Sequence, residues 1–136
     1  MAASRSPHRT EAEMLRRRAT EFLELAKEAL RRKNYDISCF LSELAAQLHI
    51  KSVLLEEVGD FPRTHSIRTL LAEVSKSLWG AKIREFTQDN RVRLIALEDA
   101  YIIARYTPTS YTEEDAEDMI NIAEEIISLT SKVQGK

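Results

Sequence analysis

Three glycines and three prolines are all that the 136 residues contain, and Pro7, Gly59, Pro62, Gly80, Pro108 and Gly135 cut the chain into long uninterrupted pieces. Glycine and proline are the strongest local breakers of regular structure, so pieces this long and free of them are expected to be helical. In the first, Ala12, Leu15, Ala19, Phe22, Ala26 and Leu30 recur at steps of three and four. That spacing predicts one face of an amphipathic helix over residues 10–33. The second, YDISCFLSELAAQLHIKSVLLEEVG, carries Ile37, Phe40, Leu41, Leu44, Ala45, Leu48, Leu54, Leu55 and Val58. An arc so wide marks a central helix with neighbours on several sides. Gly59 suits its C-terminal stop, and Pro62 blocks continuation.

HSIRTLLAEVSKSLWG, residues 65–80, predicts a shorter amphipathic helix with Ile67, Leu70, Leu71, Val74 and Leu78 facing inward. Residues 81–90 predict a turn of helix and then loop. RVRLIALEDAYIIARY, 91–106, predicts a fourth main helix, stopping before Pro108 because the residue preceding a proline avoids helical angles. The last helix opens on Thr112, Glu113, Glu114 and Asp115, a capping-box arrangement whose acids suit the positive end of the helix dipole. Ala116, Met119, Ile120, Ala123, Ile126, Ile127 and Val133 give its buried stripe. No segment alternates with strand period, so the expected class is all-α, an antiparallel up-and-down bundle of four to five helices. Residues 1–9 read as a flexible N-terminal segment and residues 10–134 as one domain.

Composition narrows function by exclusion. With 43% hydrophobic and 31% charged residues the chain can build an ordinary globular core. A net charge of −2 argues against a protein that grips many phosphates, and no DNA duplex is expected as partner. No run nears the ~18 apolar residues of a membrane span, so no membrane partner is expected. The basic MAASRSPHRT lacks the following apolar segment of a secretory signal, which leaves a cytoplasmic location by default. Cys39, the one cysteine, reads as a small core residue. His8, His49 and His65 lack metal-ligand spacing, and no glycine-rich phosphate loop occurs, so neither metal nor cofactor is expected. The Arg16–Arg18 and Arg31–Lys33 clusters fan around their helix and read as solvated faces. Arg91 and Arg93 sit at the helix end where cations are disfavoured, which points to a partner there.

ARYTPTSY, 104–111, begins where an apolar helix ends. Arg105 complements the negative end of that helix, which explains its charge as simple capping. Capping does not explain its company, because Tyr106, Pro108 and Tyr111 set a guanidinium and two phenols around one inter-helix turn. Such turns are exposed backbone on rigid supports, a common place for function.

Three separated segments together resemble the HEPN family of small helical-bundle domains. Tyr35 and Asp36 followed by SCFLSELAAQLHIKSVLL are similar to the family's second-helix pattern, with Ala45, Ala46 and Lys51 in place and Gln47 where Glu is usual. THSIRTLL, 64–71, resembles the start of its third helix, where His65 reads as a helix-start hydrogen bonder. ARYTP followed by YTEEDAE resembles its arginine–tyrosine–proline turn and acidic-capped last helix.

The resemblance implies a homodimer that associates with a minimal nucleotidyltransferase in a toxin–antitoxin-like pair, with a groove for nucleotide or RNA phosphate around Arg105 and Tyr106. It also implies a tyrosine near the motif, Tyr106 or Tyr111, as a target of nucleotidylation. The alternative it implies is a metal-independent ribonuclease, in which an arginine clamps the phosphate and a histidine four to six residues later shuttles protons. Arg105 matches the arginine, but YTPTSYT follows it and Tyr111 stands where the histidine would be. In that reading Tyr111, Glu43 or Asp36 completes the site. The binding protein is the leading expectation, because a phenol with pKa near 10 is a poor base.

Overall fold

The computed structural model describes residues 7–134 except Leu78 and Thr109, and it holds six α-helices and, among the described residues, no strand. They are α1 (Pro7–Arg31), α2 (Tyr35–Glu57), α3 (Ile67–Val74), α4 (Gly80–Asp89), α5 (Arg91–Tyr106) and α6 (Glu113–Gln134). The expected all-α bundle is what forms, with one helix more than expected. The inward role expected of Leu78, and residues 1–6 of the expected N-terminal segment, lie outside the described residues. The rest of that segment, Pro7 onward, belongs to α1.

α2 is the central element, touching α1, α3, α5 and α6. Ala12, Ala19 and Ala26 are fully buried at seven-residue intervals on α1, and residues this small let the two helices approach closely. There the Ser38 hydroxyl donates to the Ala26 carbonyl at 2.8 Å. The inward face of α2 is more polar than its pattern predicts, with Ser38, Ser42, Glu43, Gln47, His49 and Ser52 buried beside Cys39, Ile50 and Val53. Ile37 and Val58, expected inside, are 54% and 72% exposed. Serine hydroxyls that bond back to helix carbonyls, as Ser42 does to Ser38, satisfy themselves and make such a face possible.

The helix ends obey local chemistry. α1 stops at Arg31 because Lys33 turns left-handed (φ 64°), its N–H donating to Leu30 and that of Asn34 to Ala29, a Schellman closure. Gly59, at φ 91°, ends α2 by donating its N–H to the Leu54 and Leu55 carbonyls. At α6, Thr112 N–H donates to Asp115 Oδ2 (2.9 Å) while Asp115 N–H donates to Thr112 Oγ1 (3.1 Å), the reciprocal box that was expected.

Residues 65–80 are not one helix, and 81–90 are not loop. A Cβ on Gly80 would lie 1.9 Å from the Ser75 carbonyl oxygen. That close approach lets the chain turn after Val74 and re-enter helix at Gly80, with Arg84 Nη1 donating to the same carbonyl at 3.1 Å. The charge clusters are largely paired within the chain. Arg16 meets Glu56, Arg31 and Arg32 meet Glu28, and Arg93, expected to await a partner, bridges Asp118 and Glu125 of α6. No helix among the described residues is long and apolar enough to cross a membrane.

Candidate functional site

α5 ends where Thr107 becomes extended ahead of Pro108, leaving Arg105 in the last turn. Its Nε donates to the Tyr101 carbonyl at 2.7 Å, so it does cap the helix. The guanidinium also lies over three rings, 4.4 Å from the centroid of Tyr101, 4.7 Å from Tyr106 and 4.9 Å from Phe40 of α2. Among the described residues no carboxylate comes within ion-pair distance of it. The terminal nitrogens, the pair suited to a bidentate grip on a carboxylate or phosphate, stay free of protein acceptors among those residues.

The α2–α3 loop brings a further group. Ser66 caps α3 by accepting the Thr69 N–H, and among the described residues the His65 ring makes no hydrogen bond at the helix start. Instead the His65 ring stacks on Tyr101, with centroids 4.5 Å apart and planes 14° off parallel. Glu98 of α5 fixes this loop end by accepting from the Arg68 guanidinium at 3.0 and 3.1 Å and from the Arg68 N–H at 2.8 Å. Imidazole and guanidinium therefore rest on one tyrosine, delivered by segments far apart in the chain.

Beneath this surface Glu43 is fully buried. Gln47 Nε2 donates to its Oε2 at 2.8 Å, and Lys51 Nζ donates to Gln47 Oε1 at 2.8 Å. Oε1 of Glu43 is buried without a hydrogen-bond partner among the described residues. Burial pushes its pKa up to about 8, against the pull of the Gln47 hydrogen bond and the charges of Lys51 and Arg105. Burial thus favours the protonated form of this carboxyl.

The other residues singled out from the sequence divide. Tyr106 is exposed beside Arg105, and Glu43 feels the charge of Arg105. Asp36 and Tyr111 form a separate group at the start of α2, where the Tyr111 N–H donates to Asp36 Oδ1 at 2.7 Å. The Tyr111 ring packs on the core, and burial first, then nearby Cys39 and acids, pushes its phenol up to about 12. His49 is a core residue, its Nδ1 2.8 Å from Thr130 Oγ1, and burial lowers its pKa to about 4. Cys39 is buried and free, its thiol pushed up to about 12 by burial. Among the described residues no three His, Cys, Asp or Glu side chains gather as metal ligands would.

Sequence reasoning missed Tyr101 and Phe40, and it read His65 as a helix-start hydrogen bonder. Tyr101 could have been found, since it lies one helical turn before Arg105. Phe40 and His65 carry no local signal that ties them to α5.

A six-helix bundle whose fifth helix ends on an arginine lying over three rings, with no ion-pair partner among the described residues, defines a small helical domain. The HEPN domain profile matches residues 12–133, and the chain belongs to the HEPN family. A relative from Methanocaldococcus jannaschii, named "Putative toxin MJ1304", is 26% identical over 132 residues, covering 87% of this chain and 84% of its own. The crystal structure of TT1696 from Thermus thermophilus superposes with a TM-score of 0.76 at 25% identity, over 89% of this chain and 96% of that one. ST0689, described as an archaeal HEPN homologue, gives a TM-score of 0.67 at 28% identity, over 89% and 95% of the two chains.

Proposed function

We propose that this HEPN protein binds a nucleotide or RNA phosphate at Arg105, and acts as the homodimeric partner of a minimal nucleotidyltransferase in a toxin–antitoxin-like module. The observation that carries the reading is the guanidinium itself, held by Nε and three rings with its terminal nitrogens unclaimed. The name of the M. jannaschii relative supports the toxin-linked setting. A stripe of half-exposed apolar residues on α2, Ile37, Leu41, Leu44 and Leu48, together with exposed Ile102 and Tyr106, supports a second copy on that side. Tyr106, 69% exposed, is the more accessible phenol for a nucleotidyl group, since Tyr111 is turned onto the core. The test is equilibrium binding of AMP and of a short oligoribonucleotide to wild type and Arg105→Ala. Loss of binding in the variant supports the reading, and no binding by either protein overturns it.

One observation favours the ribonuclease as a second reading: His65 on the Tyr101 ring supplies an imidazole that YTPTSYT lacks. Arg105 would hold the scissile phosphate while His65 takes the proton of the attacking 2′-hydroxyl and returns one to the departing 5′-oxygen, leaving a cyclic phosphate and a free 5′-hydroxyl. Cleavage in EDTA that is abolished by Arg105→Ala and His65→Ala but kept by Tyr111→Phe would establish it. RNA left intact by wild type would remove it.

A further inference from the structure

A second cationic group lies farther along the same side of α2. Lys51 Nζ stands 5.2 Å and Arg63 Cζ 5.4 Å from the centroid of one ring, Phe61, in the loop after α2. Each cation is attracted to the ring while the two repel one another, and an anion lying between them would be held by both. The chain supplies none within ion-pair distance of either among the described residues. Glu43 is buried and reaches Lys51 only through Gln47, Glu98 is engaged by Arg68, and Asp60 accepts the N–H of Phe61 at 2.8 Å. Burial lowers the pKa of Lys51; the charge of Glu43 opposes this and that of Arg63 adds to it.

Register links this group to the Arg105 site. Phe40, under Arg105, and Lys51 are eleven residues apart, so they fall within about 20° of each other around α2 and roughly 16 Å apart along it. Tyr101 and His65 join the surface from α5 and the following loop. Cations beside partly exposed rings along one side of α2 suit single-stranded nucleic acid, whose phosphates seek the charges and whose bases stack on the rings. A spacing of roughly 16 Å covers several phosphates of a strand, more than one nucleotide offers.

We infer that Lys51 and Arg63 on Phe61 form a second phosphate station, and that this surface takes a single-stranded oligoribonucleotide in preference to a mononucleotide. This rests on the reading of Arg105 as a phosphate site. The experiment is fluorescence anisotropy with a labelled 2′-O-methyl hexaribonucleotide, which lacks the hydroxyl that cleavage needs, and competition by AMP, across a salt series.

Wild type should bind the hexamer at least about tenfold tighter than AMP. Arg63→Gln and Lys51→Gln should each weaken the hexamer about five- to tenfold and flatten its log–log salt slope by about 0.7, one phosphate on a single strand. AMP should stay within about twofold, and Lys51→Arg should retain hexamer binding, because it keeps the charge. Arg63 is exposed, so its variant tests the station with no change in the core. Unchanged hexamer binding in Lys51→Gln and Arg63→Gln, with a loss in Arg105→Ala, would sink the second station and leave the Arg105 reading standing. Equal weakening of AMP and hexamer would also sink it. If Arg105→Ala binds both ligands as wild type does, the Arg105 reading fails first and this inference goes with it.

Discussion

Arg105 and His65 share the ring of Tyr101, the guanidinium 4.4 Å and the imidazole 4.5 Å from its centroid. The hydrogen bond from Arg105 goes to the Tyr101 main chain, so the tyrosine contributes its ring face and not its hydroxyl. Tyr101→Phe should therefore bind nucleotide and oligonucleotide like wild type, whereas Tyr101→Leu should lose about tenfold, of the size of one base–aromatic stack. Titration of both variants checks this, and equal losses would mean that the phenol matters in its own right.

Arg105→Ala removes a capping contact and a ligand contact together, and the two effects differ in size. Melting should register only the ~0.3–1 kcal/mol typical of a cation at a helix C-terminus. Ligand affinity should fall tenfold or more, as for a charge-assisted bidentate pair. Arg105→Lys should restore most of the stability and little of the affinity, because an ammonium cannot make the planar fork. Calorimetric melting beside binding titration separates the two roles.

How far the sequence foretold this site follows from which contacts are local. Arg105 and Tyr106 were legible because a proline-stopped helix exposes its last turn, and the Thr112–Asp115 box because its bonds span three residues. His65 and Phe40 reach Tyr101 only through the packing of α2 and the α2–α3 loop on α5, which no local pattern encodes. Tyr111 looked close to Arg105 because the turn at Pro108 is short, yet its backbone is tied to Asp36 and its ring faces the core. The burial of Glu43 and His49 ran against hydropathy. Gln47, Thr130 and neighbouring hydroxyls make it tolerable, partners that only the assembled bundle brings together.

Gly80 tests why the third predicted helix splits. An added methyl would strike the Ser75 carbonyl at 1.9 Å, and the atom met is backbone, which cannot swing aside. Gly80→Ala should destabilise the fold by about 1–3 kcal/mol, the range for overpacking, although alanine is the better helix former. Ala81→Gly, at an exposed position in α4, should cost no more than about 1 kcal/mol from propensity. Urea denaturation of both variants gives the comparison, and a Gly80→Ala protein as stable as wild type would remove the steric account of the α3–α4 turn.

The two buried titratable groups pull stability in opposite directions with pH. Glu43 has its folded pKa raised from 4.5 to about 8, so the folded state holds a proton that the unfolded chain releases across that window. Stability from this group is full below about pH 4.5 and declines as pH rises toward 8. His49 has its folded pKa lowered from 6.5 to about 4, so the unfolded chain binds the extra proton and stability falls as pH drops through that interval. Its Nδ1 lies 2.8 Å from Thr130 Oγ1 and its Nε2 3.3 Å from Ser131 Oγ, so a hydroxyl stands beside each ring nitrogen. Between about pH 4.5 and 6.5 the two slopes oppose each other in wild type. Glu43→Gln should remove the loss toward pH 8 and uncover the acid-side loss due to His49. His49→Gln should do the reverse, with stability from Glu43 still declining toward pH 8. Urea unfolding of the three proteins at pH 5, 6.5 and 8 reads the slopes directly, and parallel profiles for wild type and Glu43→Gln would mean that the Glu43 carboxyl is ionised in the folded protein after all.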